Sequence, residues 1–310
     1  MHRHLVLAVK RHLDDLDESF DSVLPSEAEV LVYQETGFYV SKRLIPSDLI
    51  DDALSGVTRF YEGERDYVLP VQGGYLDWRP AHGDGLRIND YVSLQNEPIR
   101  ALVSWPIVAA AAARLSRVKQ VRLFHDQLIT KTPLHIDKTV VGWHVDRCYW
   151  NTCGNSDKMI TAWIPLVPYT FEMGPLTVME GSHAWSGNEW MATFNEVKLE
   201  VLERKIQASP KGFMKRVIMI SPGHVSFHSA GVIHGSLQNN GNLPRIALTV
   251  HFQDGTNSYR PHVNDNGRQS LHINDVLCRK RADGAPDYSD PDVCPLLWDD
   301  EWGLTYRFAG

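Results

Sequence analysis

Residues 121–131 read VRLFHDQLITK, and from here the texture of the chain changes. HVDRCYW (144–150), MITAWIPLVP (159–168), GPLTVMEGSH (174–183), GHVSFHSAG (223–231), VIHGSL (232–237) and RIALTVHF (245–252) follow. All are short runs rich in β-branched and aromatic residues. Turn-formers such as Pro133, Gly142, Asn155, Pro168, Gly181, Pro222 and Gly241 separate them. Many short strands at this rhythm predict a sandwich or barrel and not alternating βαβ units.

Upstream, residues 1–117 read as mostly helical with one long loop. Met1 to about Gln34 is helical, Gly37–Val40 a short strand, and Ser47 caps a helix reaching about Glu62. Gly63–Asn96 is an irregular stretch rich in Gly, Pro, Asp and aromatics. Asn96 and Pro98 open a helical pair broken at Pro106 and ending in the alanine-rich Val108–Leu115. Inside the β region, residues 188–213 are expected to form a helical insertion. The loop-rich tail, 253–310, is expected to cover the barrel mouth or make an oligomer contact. The whole, 1–310, is read as one catalytic domain with a core at 118–252.

The 310 residues, 43% hydrophobic and 22% charged, fall in the soluble globular class. The net charge of −7, with no clustered Lys/Arg tract, argues against nucleic-acid or anionic-membrane partners. Leu5–Val9 is too short an apolar run for a signal or a membrane span, so the expected location is cytoplasmic. Cys148, Cys153, Cys278 and Cys294 are expected to be free thiols. Composition leaves the oligomeric state open between monomer and homodimer.

The chemistry centres on His144 and Asp146, at i and i+2, which share a face if the segment is extended. One imidazole, one carboxylate and a distant second imidazole, His234, make the 2-His-1-carboxylate triad of non-haem Fe(II) oxygenases. Such a triad leaves three coordination positions for a chelating co-substrate and O2. Asn240-Gly241 signals a tight turn. A hairpin centred there sets Ser236 opposite Arg245 and His234 opposite Ala247, so His234, Ser236 and Arg245 share a face. A guanidinium with a hydroxyl beside it suits the far carboxylate of a 2-oxo diacid.

Together, LFHDQLITKTP, GWHVDRCYWN, ITAWIPL, MGPLTVMEGSH and SFHSAGVIHGSLQNN, with Arg245 eleven positions after His234, resemble the phytanoyl-CoA dioxygenase family of Fe(II)/2-oxoglutarate oxygenases. The resemblance implies a double-stranded β-helix, a jelly-roll (cupin-like) barrel that is mainly β with flanking helices. It implies His144, Asp146 and His234 as iron ligands and Arg245 with Ser236 as the 2-oxoglutarate anchor. Trp163, Gln127 and Lys131 would line the co-substrate pocket. Asp146 fills the position that is a small residue in related halogenases, which implies oxygen chemistry. The implied activity is hydroxylation of a small metabolite coupled to decarboxylation of 2-oxoglutarate to succinate and CO2. Desaturation, cyclisation, epimerisation or demethylation would use the same cofactors. A non-oxidative jelly-roll isomerase or ligand-binding module is the alternative class, and it has no need of a diacid anchor.

Of the remaining histidines, His125 and His228 are expected on inner strands beside the metal, and His183 in a structural hydrogen bond. His2, His4, His12, His82, His262 and His272 are read as surface residues. Trp143, Tyr149, Trp150, Tyr75 and Trp78 are candidates for the substrate wall, though plain packing explains aromatics equally well.

Overall fold

The structure is a computed structural model that describes residues 20–71, 76, 85–133, 137–206, 212–264 and 266–301. Two antiparallel sheets form the centre. The larger runs β1 (Phe38–Arg43), β8 (His224–Ser229), β5 (Ile160–Pro165), β10 (Arg245–Asp254), β3 (Gln120–Lys131), β11 (Leu296–Asp299), with β2 (Leu86–Asp90) also on β3. The smaller runs β4 (Val141–His144), β9 (His234–Ser236), β6 (Thr177–Met179), β7 (Lys215–Val217). This is the expected jelly roll.

Period-two alternation assigns each strand of the large sheet two different environments. On β10, Leu248, Val250 and Phe252 join the apolar core beneath the helices, while Thr249 and His251 face the other sheet. On β5, Ile160, Ala162 and Ile164 go to the core, and Thr161 and Trp163 turn inward. On β8, Val225 and Phe227 split from His228 in the same way. The outer face is therefore a continuous apolar floor, and truncating a fully buried member such as Leu248 to Ala would cost about 2–5 kcal/mol.

Helices cover that floor. α1 (Phe20–Val23) precedes α2 (Glu27–Thr36), which starts with a capping box at Ser26 and Glu29. α3 (Ser47–Tyr61) buries Leu49, Ile50, Ala53, Val57 and Phe60, one helical stripe. Its N-cap is Pro46, not Ser47, and no side chain caps it. α4 (Glu97–Val103) and α5 (Pro106–Ser116) break before Pro106 as expected, with Asn96 accepting from the Ile99 N–H at 3.1 Å. The alanines of α5 are all buried, and their small side chains let the helix lie close to the sheet. Glu97–Ser116 is apolar enough to cross a membrane, yet 89% of that window is buried inside the fold.

Four expectations need correction. The Asn240-Gly241 hairpin does not form: β9 pairs with β4 and β6 in the small sheet, whereas β10 pairs with β3 and β5 in the large one. Residues 237–244 cross from one sheet to the other, because β10 satisfies its backbone on both sides within the large sheet. The helical insertion at 188–213 reduces to α6 (Leu199–Lys205); residues 188–196 are turns whose backbone bonds to β4. The stretch at 63–96 contains β2, and the tail contributes β11 and the short α7 (Asn274–Leu277). Among residues read as helical at the N-terminus, 1–19 lie outside the described residues.

Candidate metal centre

His144 is the last residue of β4, Val145 is extended, and Asp146 opens a 3-10 turn, so the i/i+2 relation holds although the strand has ended. β9 pairs directly with β4, His234 opposite His144. The ligand atoms of His144, Asp146 and His234 lie within 4.8 Å of one another, and all three residues are buried. Nε2 of each histidine lies 3.5 Å from Asp146 Oδ1.

The backbone fixes the tautomers. His144 Nδ1 donates to the Gly142 carbonyl at 2.8 Å, and His234 Nδ1 donates to the Val232 carbonyl at 3.0 Å. Each Nε2 is thereby left facing the Asp146 carboxylate, so that three donor atoms which repel one another when unprotonated are gathered in one place. A cation resolves that repulsion, and two imidazole nitrogens with one carboxylate suit ferrous iron. Burial opposes ionisation of Asp146, but the surrounding His234, His144, His228 and His251 hold its carboxyl well below the usual range. Burial, and then the neighbouring His144 and His228, push His234 well below the ordinary imidazole value.

Gly142 makes room for the wall of the site. A Cβ there would stand 2.2 Å from the Thr193 carbonyl, so only glycine lets residues 191–196 lie along β4. The Gly142 N–H donates to the Phe194 carbonyl at 2.8 Å, and the Phe194 ring packs 4.9 Å from His144.

Beyond the ligands lies a narrow cavity lined by Arg245, Ser236, Trp163 and Gln127. Arg245 is 3% exposed, donates to the Gly174 carbonyl and lies 5.6 Å over the Trp163 ring. Its Nε has no partner among the described residues, and burial lowers its pKa to about 10. Lys131 pairs in register with Arg245 but lies outside this lining. Its Nζ donates to Ser236 Oγ at 2.6 Å and to the Leu237 carbonyl at 2.5 Å. Burial, then Arg245, pull Lys131 well below the ordinary amine value. Lys131 thus orients Ser236 from behind and does not meet a ligand itself. Ser236, already accepting from the lysine, keeps its own hydrogen for an acceptor in the cavity.

A larger cavity of about 290 Å³ adjoins the metal centre and includes Tyr149 and Trp150 in its wall. Trp143 does not belong there. It follows the opposite face of β4 into an apolar cluster with Val145, Met179 and Leu202, its Nε1 donating to Glu203 at 2.9 Å. Tyr75, Trp78, His2, His4, His12 and His82 lie outside the described residues. His272, read as a surface residue, lines the cavity, and burial pushes it down to about 3. His183 makes its structural bond, Nε2 to the Gln34 carbonyl at 3.0 Å.

Three site residues escaped the sequence reading. Thr161 Oγ1 donates to Asp146 Oδ2 at 2.7 Å and accepts from His251 Nδ1 at 2.9 Å. His251, which burial takes down to about 3, lies 3.8 Å from Asp146 Oδ2. Phe194 is the third. Thr161 is two residues before Trp163, and His251 is six after Arg245, so strand periodicity carried the signal for both. His228, on an inner strand as expected, sits with Nε2 3.4 Å from Asp146 Oδ2.

The solved structures that resemble this chain share its fold. The non-heme alpha ketoglutarate dependent carbocyclase SnoK from nogalamycin biosynthesis aligns with a TM-score of 0.64 at 19% identity, over 88% of this chain and 96% of that one. The epimerase SnoN, in complex with Fe3+, alpha ketoglutarate and nogalamycin RO, gives 0.61 at 21% identity, over 87% and 98%. EctD from S. alaskensis, with 2-oxoglutarate and 5-hydroxyectoine, gives 0.58 at 17% identity, over 76% and 79%. No curated protein sequence matches the chain significantly. The family model described as Phytanoyl-CoA dioxygenase (PhyH) matches residues 33–247, well over half of the sequence and including His144, Asp146, His234 and Arg245, and the chain belongs to that family.

Proposed function

We propose that the protein is an Fe(II)/2-oxoglutarate-dependent dioxygenase that hydroxylates an unactivated C–H of a small metabolite. The observation that carries this reading is a buried guanidinium, Arg245, with the Ser236 hydroxyl beside it, lining the same narrow cavity as the 144/146/234 triad. A jelly-roll isomerase needs the triad but has no use for an anion site beside it. Iron with 2-oxoglutarate would couple loss of CO2 from the co-substrate to oxidation of the substrate C–H.

The residues of this chain divide the remaining work. His144, Asp146 and His234 would hold the metal, and the Gly142 and Val232 carbonyls fix the imidazole tautomers. Thr161 engages Asp146 Oδ2 and leaves Oδ1 toward the two histidines. Arg245 and Ser236 would take the distal carboxylate, with Trp163 as floor. Phe194, Tyr149 and Trp150 line the substrate side. Structures of the same fold are named as a carbocyclase and an epimerase, so cyclisation or epimerisation with the same cofactors is the second reading; hydroxylation is taken as the simplest outcome.

Anaerobic addition of Fe(II) and 2-oxoglutarate should give a weak visible charge-transfer band, and its absence in folded protein would sink the reading. Arg245→Ala should raise the KM for 2-oxoglutarate by about a hundredfold, in line with losing a buried charge-assisted contact, while metal binding persists. An unchanged KM would remove Arg245 from the anchor role.

A further inference from the structure

The 290 Å³ cavity that shares His144 and Asp146 with the metal centre carries an electrostatic bias of its own. Its far wall holds Asp90, the last residue of β2, whose side chain is 14% exposed. Asp90 Oδ1 accepts from Gln127 Nε2 at 2.8 Å and lies 3.4 Å from His125 Nε2. Oδ2 receives no hydrogen bond among the described residues.

No Lys or Arg lines the cavity among those residues. Burial works against the charged carboxylate, but His125, Gln127 and His272 hold Asp90 below its ordinary value, so it is ionised. A nearly enclosed carboxylate with one oxygen that no donor among those residues meets favours a ligand that brings the donor. The charge is not a second metal site: among the described residues only His144, Asp146 and His234 converge to metal-binding distance.

The rest of the wall sets aromatic and apolar side chains beside the polar Gln127, Asn195, His125, His251 and His272. Trp150 stands edge-on to His251, with ring centroids 5.0 Å apart, and Tyr149, Phe194 and Ile88 complete the surface. Aromatic faces beside a carboxylate form a setting that favours an organic cation over a neutral or anionic group. Register fixes the spacing: Asp90 pairs with Gln127 on β3, and Gln127 pairs with Thr249 on β10. Two strand spacings, about 10 Å, separate the anion from the β10 wall, where His251 reaches Asp146.

We infer that this cavity takes a small molecule bearing a protonated amine. Asp90 holds the ammonium, the aromatic wall holds the apolar body, and a carbon several bonds from the nitrogen faces the 144/146 end. The inference rests on the oxygenase reading for which end reacts, while the amine recognition rests on Asp90.

The test is calorimetric binding to full-length protein loaded anaerobically with Fe(II) and 2-oxoglutarate. The probes share a phenyl body and differ in head group: 2-phenylethylammonium, 2-phenylethanol and 3-phenylpropionate. The ammonium is expected to bind at least about tenfold more tightly than the alcohol, and the carboxylate more weakly than both. In Asp90→Asn, which keeps the shape and the Gln127 contact, the ammonium should fall to the level of the alcohol. Equal affinity of ammonium and alcohol in the wild type, no ammonium binding, or a preference that survives in folded Asp90→Asn each overturns the inference. The wild-type comparison stands even if the variant does not fold. The charge-transfer band in the same samples separates the two claims: a band without amine preference sinks the inference alone, and amine preference without the band sinks the oxygenase reading alone.

Discussion

Thr161 lines the narrow cavity, and its hydroxyl joins Asp146 to His251 in one hydrogen-bonded line. Thr161→Val keeps the shape and removes both bonds, freeing the carboxylate to rotate. Outer hydrogen bonds to ligands of this kind are worth about 10–100-fold in metal affinity. Titration of the metal-free variant with Fe(II) should therefore show a weakening of about that size, and an unchanged affinity would mean that the packing of Asp146 alone positions it. The ligands themselves were legible because H-x-D with a distant histidine is a chemical pattern, independent of exact strand ends. Thr161 and His251 were legible in principle, since alternation along ITAWIP and RIALTVHF places them inward. Phe194 was not, because its position depends on a turn segment lying against Gly142, a tertiary contact with no local periodicity. Trp143 was misplaced for a related reason: a residue adjacent to a ligand on a strand points the opposite way.

At the level of elements, the junction of α3 and α4 rests on one carboxylate. Asp66 Oδ1 accepts from Arg59 Nη2 at 2.7 Å, and Oδ2 from the Glu97 backbone N–H at 2.8 Å. Burial raises the pKa of Asp66, but the Glu97 and Arg59 bonds outweigh it, and the net shift is downward. A depressed folded-state pKa means stability that is present above the unfolded value and lost as the pH falls through the folded one. Arg59 is 37% exposed, which limits the effect to about 1 kcal/mol or less. Asp66→Asn should accordingly lower the urea midpoint at pH 7, with the difference from wild type shrinking as the pH drops through the carboxylate range. A pH-independent difference would assign the loss to packing. Elements were readable wherever chemistry was local, as in the capped α4, the broken helix pair and the inward-facing strands. The β9–β10 hairpin failed because Asn240-Gly241 reports only that the chain turns; which sheet each strand joins depends on partners more than fifty residues away.

Considered as a whole, the molecule splits its work between its two sheets. The small sheet carries His144 and His234, with Asp146 just beyond its β4 strand, and the large sheet carries Arg245, Trp163 and Gln127. A metal and an anion bound between them would stabilise the native state by mass action, about 2.7 kcal/mol at a hundred times Kd. For a chain of this size that is a rise of about 4 °C in Tm, to be read by anaerobic thermal melts with Fe(II) and 2-oxoglutarate together. No shift with either ligand would contradict a preformed site.

The bond from Lys131 on the large sheet to Ser236 on the small one clamps the two layers at the end where the guanidinium sits. Stacked sheets stand about 10 Å apart, and with that end clamped the gap would act as a calliper on a diacid held, as proposed, by Arg245 at one tip and the metal at the other. A jaw set in this way should measure carbon count: 2-oxoadipate, one methylene too long, and oxaloacetate, one too short, should each turn over at least about tenfold less efficiently than 2-oxoglutarate in competition assays of CO2 release. Equal use of all three would mean that the jaw slides.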